Sequence, residues 1–125
     1  MATRAAIGRW GEDYTAEYLR QNGYRILHRN WHCRYGELDI IALRDGILAF
    51  VEVKTRAEHS MVSPEEAVSA SKQKKLLLAA ECYLLQSELE DQPRFDVAAV
   101  TVVTYPEISL VHFDYYECAF EGGES

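Results

Sequence analysis

A chain of 125 residues, 48% hydrophobic and 26% charged, has the composition of a soluble globular domain and is too short to divide into two. None of its apolar runs approaches the ~18 residues that a membrane-crossing helix needs, and the start MATRAAIGRWGED lacks the apolar core of an export signal, so a cytoplasmic protein without a membrane partner is expected. The net charge of -7 hides an asymmetry that keeps a polyanionic partner open: residues 1–75 carry 12 Lys and Arg against 10 Asp and Glu, whereas residues 76–125 carry one basic and 10 acidic residues.

From Thr3 to about Gln21, Ile7, Gly11, Tyr14 and Tyr18 recur at helical spacing beside Trp10, and Asn22-Gly23 supplies the stop. Tyr24, Ile26 and His28 stand at alternate positions of a first strand that reaches Cys33. Two clearer strands follow, Glu37 to Leu43 and Ile47 to Thr55, and the Asp45-Gly46 between them is a hairpin signal because a type I′ turn needs positive φ at both central residues. Ser63-Pro64-Glu65-Glu66 has the residues that open a helix, which is expected to run to about Glu88 with Ala67, Val68, Leu76, Leu77, Ala80, Tyr83 and Leu84 inward. Phe95 to Val103 is so continuously apolar that both faces should be covered, and Ile108 to Phe113 pairs with it through Tyr105-Pro106. Helices flanking such a sheet predict an α/β layer architecture in the order α-β-β-β-α-β-β, with EGGES at 121–125 a frayed tail.

The stretch GELDIIALRDGILAFVEVKTR, residues 36–56, carries the chemistry. With a two-residue turn at Asp45-Gly46, Leu43 faces Leu48, Ile41 faces Phe50, Asp39 faces Glu52 and Glu37 faces Lys54, all on one side of the hairpin. The other side, with Leu38, Ile40 and Ala42 against Val53, Val51 and Ala49, stays apolar. Two directly opposed carboxylates repel, and a divalent cation relieves both while accepting a backbone carbonyl as a further ligand. Hard oxygen donors suit Mg²⁺ or Mn²⁺, held by Asp39 and Glu52 with sites left open for substrate phosphate oxygens, and with the Val53 carbonyl as the expected backbone ligand. Lys54 then stands where an ammonium would orient a water or offset charge building on phosphorus, which outlines metal-assisted phosphodiester hydrolysis. An E-x-K string alone is weak evidence, since a solvated Glu-Lys pair is the commoner origin; the opposed Asp39 and the apolar remainder of the face make it specific.

An acid, a hairpin turn and then E-x-K resemble the PD-(D/E)xK nuclease superfamily, whose fold is that of the restriction endonucleases. More closely, Gly8, Gly11-Glu12, GELDIIA at 36–42, FVEVKTR at 50–56 and Arg94-Phe95-Asp96-Val97 resemble the YraN-like bacterial family, related in fold to the archaeal Holliday junction resolvases. The resemblance implies a nuclease-like domain over residues 1–120 with a central mixed five-stranded sheet, Asp39 and Glu52 as metal ligands and Lys54 as the catalytic lysine. It also implies that Glu12 is an extra acid beside the metal, that DNA, branched or otherwise structured, is the substrate, and that a homodimer acts on it. Leu38 stands where the superfamily's name has proline.

Helical position alone places Glu12 away from the apolar stripe and therefore in solvent, and Glu37 reads as a salt-bridge partner of Lys54. Lys72 and Lys75 share a helix face and, with Arg56 and Arg34, are candidates for phosphate contact, or else belong to a solvated face. His28, His32, His59 and His112 lack zinc spacing, and Cys33, Cys82 and Cys118 lack a C-x-x-C pair, so the thiols read as structural. Two other functions remain open on the residues alone. One is a non-catalytic module that binds nucleic acid or protein and keeps the nuclease fold; the other is a hydrolase using Asp39 and Glu52 as an acid/base pair, for which directly opposed carboxylates stand closer than most such pairs need.

Overall fold

A computed structural model describes residues 2–59 and 69–120. Among them, two helices and five strands occur in the expected order: α1 (Arg4–Gln21), β1 (Arg25–Cys33), β2 (Gly36–Arg44), β3 (Ile47–Ala57), α2 (Ala70–Ser87), β4 (Gln92–Val103) and β5 (Ser109–Phe120). The strands form one mixed sheet in the order β1-β2-β3-β4-β5. β3 and β4 are parallel and the other neighbours antiparallel. The parallel pair needs a crossover, which α2 provides.

The β2–β3 turn is built as its residues demand: Asp45 has φ 48° and Gly46 φ 79°, the two positive values of a type I′ turn. Its register is the expected one, with Arg44 opposite Ile47, Leu43 opposite Leu48, Ile41 opposite Phe50 and Ile40 opposite Val51. The sheet separates two apolar cores. Against α1 lie Ile40, Ala42, Ala49, Val51 and Ala98 with Ala16, Leu19 and Tyr24. Against α2 lie Ile41, Leu48, Phe50 and Phe95 with Leu76, Ala79, Ala80 and Tyr83. Leu38 belongs to the α2 core, not to the Ile40 side where strict alternation put it. Its partner on β1 is Trp31, which follows Asn30 in the left-handed region (φ 53°) and rests edge-on against Tyr83 at 5.2 Å. Strand alternation therefore fails where β1 is kinked. A second irregularity between Ile26 and His28 ends the Tyr24-Ile26-His28 alternation in the same way: Tyr24 and Ile26 face α1, while the His28 ring meets Tyr83.

Helix α1 starts at Thr3, whose hydroxyl accepts the Ala6 N–H at 3.0 Å. Its buried residues are Gly11, Thr15, Ala16 and Leu19, so of the expected stripe Gly11 is buried as expected while Ile7, Tyr14 and Tyr18 are only half-buried. The cause is the contact at Gly11: a Cβ there would lie 1.8 Å from Thr55 Oγ1, so the helix backbone rests directly on β3. Tyr14 and Tyr18 instead pack along the flank, with ring centroids 5.1 and 4.8 Å from Phe113.

In α2 the Ser69 hydroxyl caps the Lys72 N–H at 3.2 Å. Ser63–Glu66, Ala67 and Val68 lie outside the described residues, as do residues 121–125. The remaining inward choices hold: Leu76, Ala80 and Tyr83 are buried, and Leu77 and Leu84 are half-buried against them. In β4 residues 95–100 are all buried. β5 runs to Phe120, seven residues past the expected Phe113, because an edge strand accommodates outward polar residues while Phe120 stacks on Phe95 at 5.2 Å. No helix among the described residues is long and apolar enough to cross a membrane.

Candidate active site

The hairpin opens where the charges begin. Ladder pairing stops at Ile40 and Val51, and the Asp39 carboxylate then accepts the Val53 N–H at 2.9 Å in place of a backbone carbonyl. This draws Asp39 toward β3 and beside Glu52, whose side chain is only 7% exposed. The Lys54 ammonium lies 3.3 Å from Glu52 Oε2. Asp39, Glu52 and Lys54 thus come together as the sequence implies.

Burial pushes the Asp39 carboxyl up to about 7, the Glu52 carboxylate adds to the shift and Glu12 contributes further, while the Val53 N–H opposes it. Burial also lowers Lys54, assisted by a second ammonium, that of Lys72. Lys72 reaches down from the first turn of α2 to Glu52 Oε2 at 2.6 Å; contact with that carboxylate outweighs its burial and raises it. Two lysines therefore converge on one oxygen of a buried carboxylate.

Clefts open on both sides of Asp39. One, of about 390 Å³, is lined by Asp39 and Glu52 together with Tyr35, Ser69, Lys72 and Lys75. The other, of about 640 Å³, lies on the α1 side and is lined by Asp39, Val53, Glu12, Arg29, Asn30 and Arg9.

Glu12 corrects the reading from helical position alone: its side chain is 13% exposed and faces the sheet. Arg29 Nη2 lies 2.9 Å from Glu12 Oε1 and Asn30 Nδ2 donates to it, also at 2.9 Å, while Arg29 grips Asp13 at 2.6 Å. The approach of Gly11 to Thr55, the residue after Lys54, sets Glu12 at this depth. Thr55 Oγ1 is itself buried without a hydrogen-bond partner among the described residues, which shows how closely the helix is pressed down. Glu37 pairs with His32 at 3.0 Å rather than with Lys54, because β2 has left the ladder before that level. Lys75 lines the smaller cleft, whereas Arg56 lies farther along β3, half-buried, and lines neither cleft. Arg34 stacks over Tyr35 at 4.9 Å, at the cleft margin.

The sequence indicated Lys72 only as part of a basic cluster; its contact with Glu52 depends on how α2 crosses the sheet. Arg29 and Asn30, which hold Glu12, carried no signal beyond their polarity in a strand.

The donor set fits a single hard divalent ion. Two carboxylates are crowded together at Asp39 and Glu52, and burial first, then the neighbouring Glu52 carboxylate, raises the Asp39 carboxyl, so its charged form is one that a cation would stabilise. Among the described residues no group of three or more His, Cys, Asp or Glu side chains converges to hold a metal, so an ion here would complete its shell with the Val53 carbonyl, water or substrate oxygens. Glu12, engaged by Arg29 and Asn30, acts on Asp39 through charge.

A mixed sheet whose central hairpin brings an acid beside E-x-K, flanked by a helix on each face, defines a protein of the PD-(D/E)xK nuclease-like class. The family described as "Uncharacterised protein family UPF0102" matches over residues 11–100. A UPF0102 protein of Syntrophotalea carbinolica is 53% identical over 98 residues, covering 78% of this chain and 80% of the relative. UPF0102 proteins of Syntrophomonas wolfei and Parabacteroides distasonis are 44% and 40% identical, spanning 95% and 96% of this chain and 89% and 96% of their own lengths. The chain belongs to the UPF0102 family, the YraN-like group, as the GELDIIA and FVEVKTR strings indicated.

Proposed function

We propose that this protein is a divalent-metal-dependent endonuclease that hydrolyses DNA phosphodiester bonds, with branched or otherwise structured DNA as its substrate. The observation that carries the reading is the convergence of Asp39, Glu52 and Lys54 at the open end of a buried hairpin, on a cleft edged by Lys72 and Lys75. Asp39, Glu52 and the Val53 carbonyl would hold one Mg²⁺ or Mn²⁺, which when bound supplies Lewis-acid polarisation of the scissile phosphate. Lys54, held beside Glu52, orients the water for in-line attack and offsets charge that builds on phosphorus. Lys75 and Arg56 extend positive charge away from the centre, suited to backbone phosphates and not to reading bases. Glu12 keeps Asp39 in a negative field from the α1 side, and Arg29 fixes that carboxylate in place.

The test is cleavage of plain duplex, single-stranded, flapped and four-way DNA with Mg²⁺ or Mn²⁺, comparing wild type with Glu52→Ala and Lys54→Ala. Metal-dependent cutting by wild type that both substitutions abolish supports the reading. Equal cutting by all three proteins would falsify it, since the activity would then come from a contaminant. Binding of DNA by all three without cleavage points instead to a non-catalytic module, a reading that the neutralisation of Glu52 by two lysines favours.

A further inference from the structure

The mechanism above has no task for the shorter of the two ion pairs to Glu52. Lys72 Nζ stands 2.6 Å from Glu52 Oε2, closer than Lys54 at 3.3 Å, and both address the same oxygen. One carboxylate oxygen does not need two ammonium groups, and like charges converging on it repel. The two lysines are anchored differently. Lys54 projects from the middle of the sheet and is 26% exposed, with its strand paired to β4 along its length. Lys72 is 40% exposed and springs from the first turn of α2, where the Ser69 hydroxyl caps its N–H at 3.2 Å and fixes its backbone. Its flexible four-carbon stem leaves the ammonium free to swing between Glu52 and the cleft, which Ser69, Ser71 and Lys75 also line.

We infer that Lys72 is an exchangeable internal counter-ion: it neutralises Glu52 in the metal-free protein, yields that carboxylate oxygen when a divalent cation binds, and then turns into the cleft to hold a phosphate oxygen of the substrate. The inference rests on the nuclease reading of the same site. Its physical basis is exclusion. A hard divalent ion bonds its oxygen ligands at about 2.1 Å, and an ammonium 2.6 Å from the same oxygen would then lie within a few ångströms of a double positive charge. Where the metal takes that same oxygen, repulsion favours the departure of one of the two cations, and the tethered monovalent one, half in solvent, leaves at lower cost. Lys54 lies farther from the oxygen and can stay. Lys72 in this role opposes metal binding in the absence of substrate and favours it in the presence of a phosphate that accepts the displaced ammonium. Metal and substrate then bind cooperatively through a single side chain.

The experiment measures Mn²⁺ binding by calorimetry to wild type, Lys72→Met and Lys75→Met, each without DNA, with circular dichroism to confirm that all three are folded. Lys75→Met removes a charge from the same cleft without touching Glu52, so it reports the general field alone. The expected result is Mn²⁺ binding roughly three- to tenfold tighter in Lys72→Met than in wild type, with Lys75→Met changing it less than about twofold. A non-cleavable DNA strand with a phosphorothioate backbone should tighten Mn²⁺ binding in wild type and lose that effect in Lys72→Met. Equal or weaker Mn²⁺ binding in Lys72→Met overturns the counter-ion role while leaving the nuclease reading intact. Absence of Mn²⁺ binding in all three folded proteins overturns both.

Discussion

Two buried acids on adjacent parallel strands, Asp96 on β4 and Glu52 on β3, are treated in opposite ways. Asp96 is fully buried and saturated: Arg94 Nε donates to Oδ1 at 2.9 Å and Arg94 Nη2 to Oδ2 at 2.8 Å, the Tyr115 hydroxyl donates at 2.6 Å and the Cys118 N–H at 3.1 Å. Arg94 also donates to the Tyr24 hydroxyl, so the cluster ties β4 to β5 and to the segment after α1. Among the described residues Asp39 accepts the Val53 N–H and Glu52 is met by the Lys54 and Lys72 ammonium groups, and Asp39 is driven up to about 7. A buried charge with a planar, bidentate partner and neutral donors holds structure together. A buried pair held by point charges on flexible stems is less tightly fixed, and it is the pair that the proposed function assigns to a metal.

The contrast can be broken from either end. Asp96→Ala leaves the 12% exposed Arg94 without its acceptor and should cost about 3–5 kcal/mol of folding stability, read in a denaturant titration. Loss of less than about 1 kcal/mol would mean that solvent reaches the cluster. Lys54→Ala should do the reverse, reducing cleavage on the order of 10²- to 10⁴-fold with the melting temperature shifted by only a few degrees. Gly11→Ala meets Thr55 at a distance no packed atoms tolerate and should destabilise by about 1–3 kcal/mol. It should also lift Glu12 away from Asp39, visible as a lower Asp39 pKa by carboxyl NMR.

The smallest effect is the sharpest test of the Asp39 and Glu52 pair. An Asp whose pKa rises on folding from the ordinary 3.8 to about 7 binds its proton more tightly in the native state. Its stabilising contribution is present below about pH 4 and is lost as pH climbs toward 7. Asp39→Asn keeps an acceptor for the Val53 N–H and carries no charge, so it should be more stable than wild type by about 1–2 kcal/mol at pH 8, with the advantage disappearing near pH 4. Millimolar Mg²⁺ at pH 8 should remove the difference by stabilising wild type alone. An Asn variant that is less stable at every pH would show that the Asp39 carboxylate is already balanced in the native protein.

Much of this was legible because it is local. Asp45-Gly46 fixed the turn, the turn fixed the register, and the register put Asp39 at the level of Glu52 with Lys54 one position beyond on the same face. The largely apolar run of β4 pointed to a strand covered on both sides, because its length and its β-branched and aromatic residues suit a strand better than a buried helix. Local rules failed where one element leans on another. Glu12 looked solvent-facing until the contact of Gly11 with Thr55 turned α1 and carried it inward. Leu38 changed sides through a kink at Asn30 on the neighbouring strand, and Glu37 lost Lys54 when the Asp39 side chain took over the ladder.

By itself, then, the sequence determined the order of the elements, the hairpin and the trio of Asp39, Glu52 and Lys54, because turn geometry and strand periodicity act over a few residues. Only the tertiary structure decided which groups lean on that trio: Glu12 from α1, held by Arg29 of β1, and Lys72 from α2. Those contacts join residues tens of positions apart, and their geometry follows from how closely each helix can approach the sheet, a matter of packing that no local pattern records.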